Sequence, residues 1–163
     1  MIDLQSAVQD FLSQRVIAVA GVSREGKLPA NHIFRKLQAS GYEVYAINPN
    51  ASEVEGQPCY PDLASVPARV EGLVVGTPPD AAKALVDECI RLGIPRVWMH
   101  RSFGEGSVSA EAAEWCENAG IALIPGACPM MYLEPVDMAH KCIRWFLKVG
   151  RKLPEPSGFA SSS

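Results

Sequence analysis

The chain has 163 residues, 15 Lys and Arg against 18 Asp and Glu, and a net charge of −3 with His neutral; 48% of its residues are hydrophobic and 20% charged. That suits one soluble domain and excludes disorder throughout, because there is apolar material enough to offset chain entropy. The uncharged stretch 121–133 is broken by Pro125 and Pro129 and falls short of the roughly 20 residues of a membrane span, and no basic surplus points to nucleic acid.

In chain order, Leu4, Val8, Phe11 and Leu12 recur at helical spacing, so residues 1–14 read as an amphipathic helix packed on the domain and not as a signal peptide. Val16–Ala20 is a β-rich apolar run of the kind buried on both faces of a parallel sheet. After the loop that starts at Gly21, Ala30, Ile33, Phe34 and Leu37 stripe a helix closed by Gly41. Glu43–Ile47 reads as a strand, followed by a polar loop and an apolar strand at Leu73–Val75. Pro79 opens a helix striped by Ala82, Leu85, Val86 and Cys89 and ended by Gly93. Arg96–Met99 is the next strand. Ala112, Trp115, Cys116 and Ala119 mark a helix, Ile121–Ile124 the last strand, and Met138, Cys142, Trp145 and Phe146 a C-terminal helix that starts near Pro135. The tail, 151–163, lacks periodicity and is expected to be loosely attached to a single domain over 1–150.

Strand–helix alternation with short links predicts an α/β fold: a Rossmann-like, doubly wound, mostly parallel sheet with helices on both faces. Ligands of such sheets bind outside the carboxyl ends of the strands, so the chemistry belongs just after Ala20, Ile47, Val75, Met99 and Ile124. Without an export signal the compartment is expected to be cytoplasmic and the five cysteines to be thiols. Their number and spacing show no zinc pattern, so no metal site is expected.

The first strand end carries Gly21-Val22-Ser23-Arg24-Glu25-Gly26-Lys27. Gly21 permits a sharp turn, loop amides and a helix N-terminus favour an anion, and Ser23, Arg24 and Lys27 can meet phosphate; a solvated surface turn is the alternative. Gly21 and Gly26-Lys27 have P-loop spacing, but Leu28 and Pro29 stand where a magnesium-ligating hydroxyl and a helical turn are needed. A dinucleotide fingerprint is absent, and the second strand ends in Asn48-Pro49-Asn50 instead of an acid for a ribose hydroxyl, which disfavours NAD. The third strand end, Gly76-Thr77-Pro78-Pro79, offers an extended, apolar shelf. The fourth leads into His100 and a glycine-flanked segment to Ser107; His100 reads either as a general base or phosphate ligand, or as a hydrogen-bonded histidine at the sheet edge. The last leads into Pro125-Gly126-Ala127-Cys128-Pro129. Cys128 is the candidate reactive thiol, with a buried role as the alternative, whereas Cys89, Cys116 and Cys142 fall on apolar stripes and read as core. His32 and His140 read as structural.

Over 16–133 these motifs, in this order, resemble the CoA-binding domain family, which is related to the nucleotide-binding domain of the succinyl-CoA synthetase α-subunit. The resemblance implies that Gly21, Val22, Ser23, Arg24 and Lys27 meet the phosphates of CoA, that Asn48, Pro49 and Asn50 receive the adenosine end, and that Thr77, Pro78 and Pro79 line the adenine and pantetheine path. The synthetase subunit carries a phosphorylated histidine in a second domain, so the resemblance does not imply ligase chemistry. The leading expectation is a CoA or acyl-CoA binding protein without turnover of its own. The rival is a small acyl-CoA or phosphoryl-transfer enzyme that uses His100 and Cys128, and a mixed disulfide between Cys128 and the CoA thiol is a further reading. The expected partner is the small-molecule CoA ligand; a homodimer rests only on the twofold habit of soluble oligomers.

Overall fold

The central strands are short and rich in β-branched and small apolar residues. In the computed structural model, which describes residues 2–101 and 106–159, these are β1 (Val16–Ala20), β2 (Glu43–Ile47), β5 (Gly72–Val75), β6 (Arg96–Met99) and β7 (Ala122–Pro125). At the middle of the sheet β1 and β5 are buried on both faces, while Glu43 and Arg96 open β2 and β6 at the solvent-facing ends. Two more strands, β3 (Glu53–Val54) and β4 (Gln57–Tyr60), lie in the stretch read from sequence as a polar loop. The sheet has seven strands in the order β3-β4-β2-β1-β5-β6-β7, parallel except for β3 against β4. Its parallel strands finish level: Ala20 pairs with Ile47 and Val75, Val75 with Met99, and Met99 with Pro125. The order reverses between β1 and β5, which opens a crevice at the carboxyl end of the sheet.

Side chains alternate between two cores. Ile17, Val19, Val74, Trp98 and Ile124 meet α1 (Leu4–Leu12) and α2 (Pro29–Ala39) on one face. Ala18, Ala20, Leu73, Val75, Val97 and Leu123 meet α3 (Pro79–Leu92) and α4 (Ala110–Asn118) on the other. The expected α/β fold with helices on both faces is therefore present. The first helix is capped by Asp3, whose carboxylate accepts from the Ser6 amide and hydroxyl, and it buries Ala7, Val8 and Phe11. Phe11 meets Trp98 edge-on, with centroids 5.4 Å apart, and the Trp98 indole donates to the Gly126 carbonyl at 2.8 Å. That donor is satisfied in the core, where a lost partner would be costly.

Two expectations about the C-terminal part are corrected. The helix α5 (Met138–Val149) faces the core with Ile143 and Leu147, while Met138, Trp145, Phe146 and Val149 are each more than half exposed and Cys142 is exposed with them. Its apolar residues cover well over half the circumference, so the stripe drawn from sequence is the outer edge of that band. Cys59, Cys89, Cys116 and Cys128 are buried. Native protein treated with an aromatic disulfide reagent should therefore titrate one fast thiol, and Cys142→Ser should abolish that phase. A fast phase that survives the substitution would place the exposed thiol elsewhere.

Ser157 exchanges both main-chain hydrogen bonds with Leu123, at 2.8 and 2.9 Å, and Phe159 packs on the core. Among the described residues no helix is long and apolar enough to cross a membrane.

Candidate functional site

The ends of β1 and β5 approach so closely that only glycine fits there. A Cβ on Gly21 would lie 2.7 Å from the carbonyl carbon and oxygen of Gly76, and Gly21 has φ +96. A Cβ on Gly76 would lie 2.7 Å from that of Ala30, so the second glycine lets α2 settle onto the sheet edge.

The loop after β1 is fastened by a side chain that sequence reasoning missed. Asn31, fully buried in the first turn of α2, accepts from the Ser23 amide at 2.9 Å and the Ser23 hydroxyl at 3.1 Å. Its own amide donates to the Ser23 carbonyl and to Glu55 Oε1, both at 2.7 Å. Glu55 also accepts from Arg35 at 2.6 Å, and these donors, Asn31 first, hold its carboxyl below the usual carboxylate range. Arg35 in turn donates to the Gly26 carbonyl at 3.2 Å. An Asn in a first helical turn facing a loop is a recognisable tether, but Glu55 lies 24 residues away, and no local pattern pairs the two.

This tether changes what the loop presents. The Ser23 amide and hydroxyl both donate internally, which leaves the hydroxyl oxygen as an acceptor. Val22 is fully buried, and its carbonyl accepts from the Asn48 side chain at 3.0 Å. Arg24 and Lys27 stand exposed on the outer side of the loop. Asn48 also accepts from the Asn50 amide at 2.9 Å, closing the turn in which Pro49 and Asn50 are exposed. The helix α2 begins at Pro29 with no side chain bonded to its N-terminal amides. Loop, turn and helix start thus form one exposed rim with two cations on it.

Beside this rim a cavity of about 790 Å³ opens at the crevice. Its walls are apolar for the most part: Leu28 and Pro29 from the start of α2, Gly76 to Pro79 from the end of β5, and Met130 from the turn after β7. Thr77 lies in this wall, and its hydroxyl is buried without a hydrogen-bond partner among the described residues. His100 and Cys128, 7% and 2% exposed, also line the cavity. Burial, with the nearby His140 as a smaller influence, pulls the His100 imidazole down to about 4, so it is neutral at pH 7. Of the segment that follows His100, Gly106 and Ser107 line the cavity, while residues 102–105 lie outside the described residues.

The cavity also receives His32 from α2 and Asp137 and His140 from the start of α5. Sequence reasoning took both histidines as structural. The sequence-predicted residues accordingly fall into two adjoining groups: Thr77, Pro78, Pro79, His100 and Cys128 around the cavity, and Gly21 to Lys27 with Asn48 to Asn50 on the rim, joined where Gly21 touches Gly76.

A family described as CoA binding domain matches residues 15–134 of the chain. The chain is 31% identical over 121 residues to the ADP-forming acetate–CoA ligase I of Archaeoglobus fulgidus, a match that covers 70% of this chain and 18% of the ligase. It thus spans less than a fifth of that relative's length. Among solved structures it is similar to a hypothetical protein from Pyrococcus horikoshii OT3, with 26% identity, a TM-score of 0.75, and 82% of this chain and 92% of the other covered. It is also similar to the dinucleotide forming acetyl-coenzyme A synthetase 1 of Ca. Korarchaeum cryptofilum in complex with phosphate and ADP, with 29% identity, a TM-score of 0.58, and 67% and 25% covered.

Proposed function

The chain belongs to the CoA binding domain family, and on that premise we propose that it binds coenzyme A or an acyl-CoA across the carboxyl ends of β1, β2 and β5. The phosphates lie along the rim, drawn by Arg24 and Lys27 and by the uncapped start of α2. The adenosine end rests by Asn48, Pro49 and Asn50. The pantetheine arm runs over Thr77, Pro78 and Pro79 into the cavity, whose size and apolar lining suit a flexible arm with a short acyl group.

The observation that carries this reading is the Thr77 hydroxyl. A hydroxyl buried without a partner among the described residues costs about 1–3 kcal/mol, a cost that is relieved when binding turns it toward a carbonyl oxygen of the ligand. Thr77→Val keeps the shape and removes the donor, so it should weaken CoA binding by roughly 5- to 30-fold, the equivalent of about 1–2 kcal/mol. It should also leave the unfolding midpoint in urea unchanged or slightly raised. Parent-like affinity in Thr77→Val would exclude the cavity as the seat of the arm.

A further inference from the structure

We propose that His140, oriented by Asp137, is the general base of a thioester hydrolysis in this cavity, which releases CoA and a carboxylate from a short acyl-CoA. This rests on the CoA reading above and adds chemistry to it. The three histidines of the chain all reach the one cavity, from α2, from the end of β6 and from the start of α5. Their hydrogen bonds set them apart.

His32 Nδ1 lies 3.0 Å from the Arg35 guanidinium, a group with donors only, so Nδ1 must accept, and a cation opposes protonation of the ring. His100 is enclosed and neutral, in an environment that resists gaining charge. His140 is the reverse case. Its Nδ1 lies 2.6 Å from Asp137 Oδ2, and a carboxylate only accepts, so in the neutral ring Nδ1 carries the proton and Nε2 the lone pair. The other carboxylate oxygen accepts from the His140 amide at 3.0 Å, so both oxygens fix one residue within one helical turn. A carboxylate behind an imidazole holds the ring and stabilises the imidazolium that forms when Nε2 takes a proton. Among the described residues, no three His, Cys, Asp or Glu groups converge as metal ligands would.

The step balances without a redox partner. A water gives a proton to His140 Nε2 as its oxygen bonds to the thioester carbonyl carbon. The carbonyl oxygen becomes an oxyanion as the tetrahedral carbon forms. The C–S bond then breaks, its electron pair leaves with sulfur, and the imidazolium proton passes to the thiolate. His140 would be the catalytic residue and Asp137 a positioning residue.

The test incubates the whole chain with acetyl-CoA or butyryl-CoA and measures released CoA by chromatography, since the exposed Cys142 would react with a thiol reagent. Turnover above the buffer rate is expected. His140→Gln should lower kcat at least 100-fold, and Asp137→Asn, which keeps the N-cap, at least 10-fold. In both, KM and the calorimetric affinity for CoA should be unchanged, a split that a merely structural cap would not produce. Buffer-rate release from protein that binds CoA, or parent-like kcat in His140→Gln, would overturn the hydrolysis and leave the binding reading intact. Absence of both release and CoA binding would overturn the two together.

Discussion

Gly21→Ala is expected to be strongly destabilising, lowering the unfolding free energy by about 4 kcal/mol. Part of that is backbone strain, since φ is +96 in the native turn. The rest is collision, because the new methyl would sit 2.7 Å from the Gly76 carbonyl, which the sheet ladder holds in place. Gly41→Ala is the matched control: its φ is +91, and nothing lies within 4 Å of its Cβ position, so it carries the strain alone. Urea unfolding of the two variants should differ by at least about 2 kcal/mol, the overpacking share. Equal losses would mean that the ends of β1 and β5 do not meet as described. Since the same contact joins the rim to the cavity, whatever Gly21→Ala protein folds should bind CoA more weakly than the parent.

Asn31→Leu should cost about 3 kcal/mol. Leucine fills the volume but leaves the Ser23 amide and carbonyl without their partner and removes the first donor to Glu55. The change acts on function as well as stability. Without the tether, the loop that presents Arg24 and Lys27 is no longer held against α2, so CoA affinity should fall roughly tenfold, the equivalent of about one 1.4 kcal/mol step. Circular dichroism on cooling would show whether the variant still folds, and calorimetry whether it binds. A variant as stable as the parent would show that the network is ornamental; a destabilised variant with unchanged affinity would detach the loop from the ligand.

Five of the seven strands were legible because buried parallel strands are short apolar runs that neighbouring glycines and prolines interrupt. The motifs then fell on the strand ends by topology alone. The pair β3 and β4 was not legible, since Gln57-Pro58-Cys59-Tyr60 is polar and contains a proline. It is a strand because Cys59 and Tyr60 pair with the end of β2, a tertiary fact. In α5, periodicity found a helix but could not say which arc of a broad apolar band meets the core; Ile143 and Leu147 won because the turn at Pro129–Met131 lies under them. Long-range folding also carries the parts of the site that were missed. Asn31 meets Glu55 across 24 residues, and Asp137 and His140 reach the cavity because α5 packs against the turn at Pro129–Met131. Thr77 was named for its neighbouring prolines, yet its significance lies in a hydroxyl whose lack of a partner only three dimensions reveal.

The central claim is that the crevice between β1 and β5 receives coenzyme A. A calorimetric titration of ligand-stripped protein with CoA, set beside NAD and magnesium–ATP, tests it most directly. Saturable binding of CoA, weakened in Lys27→Ala and Thr77→Val and absent for the other two nucleotides, is the predicted result. Binding of NAD or magnesium–ATP in place of CoA, or no heat from any of the three, would contradict it.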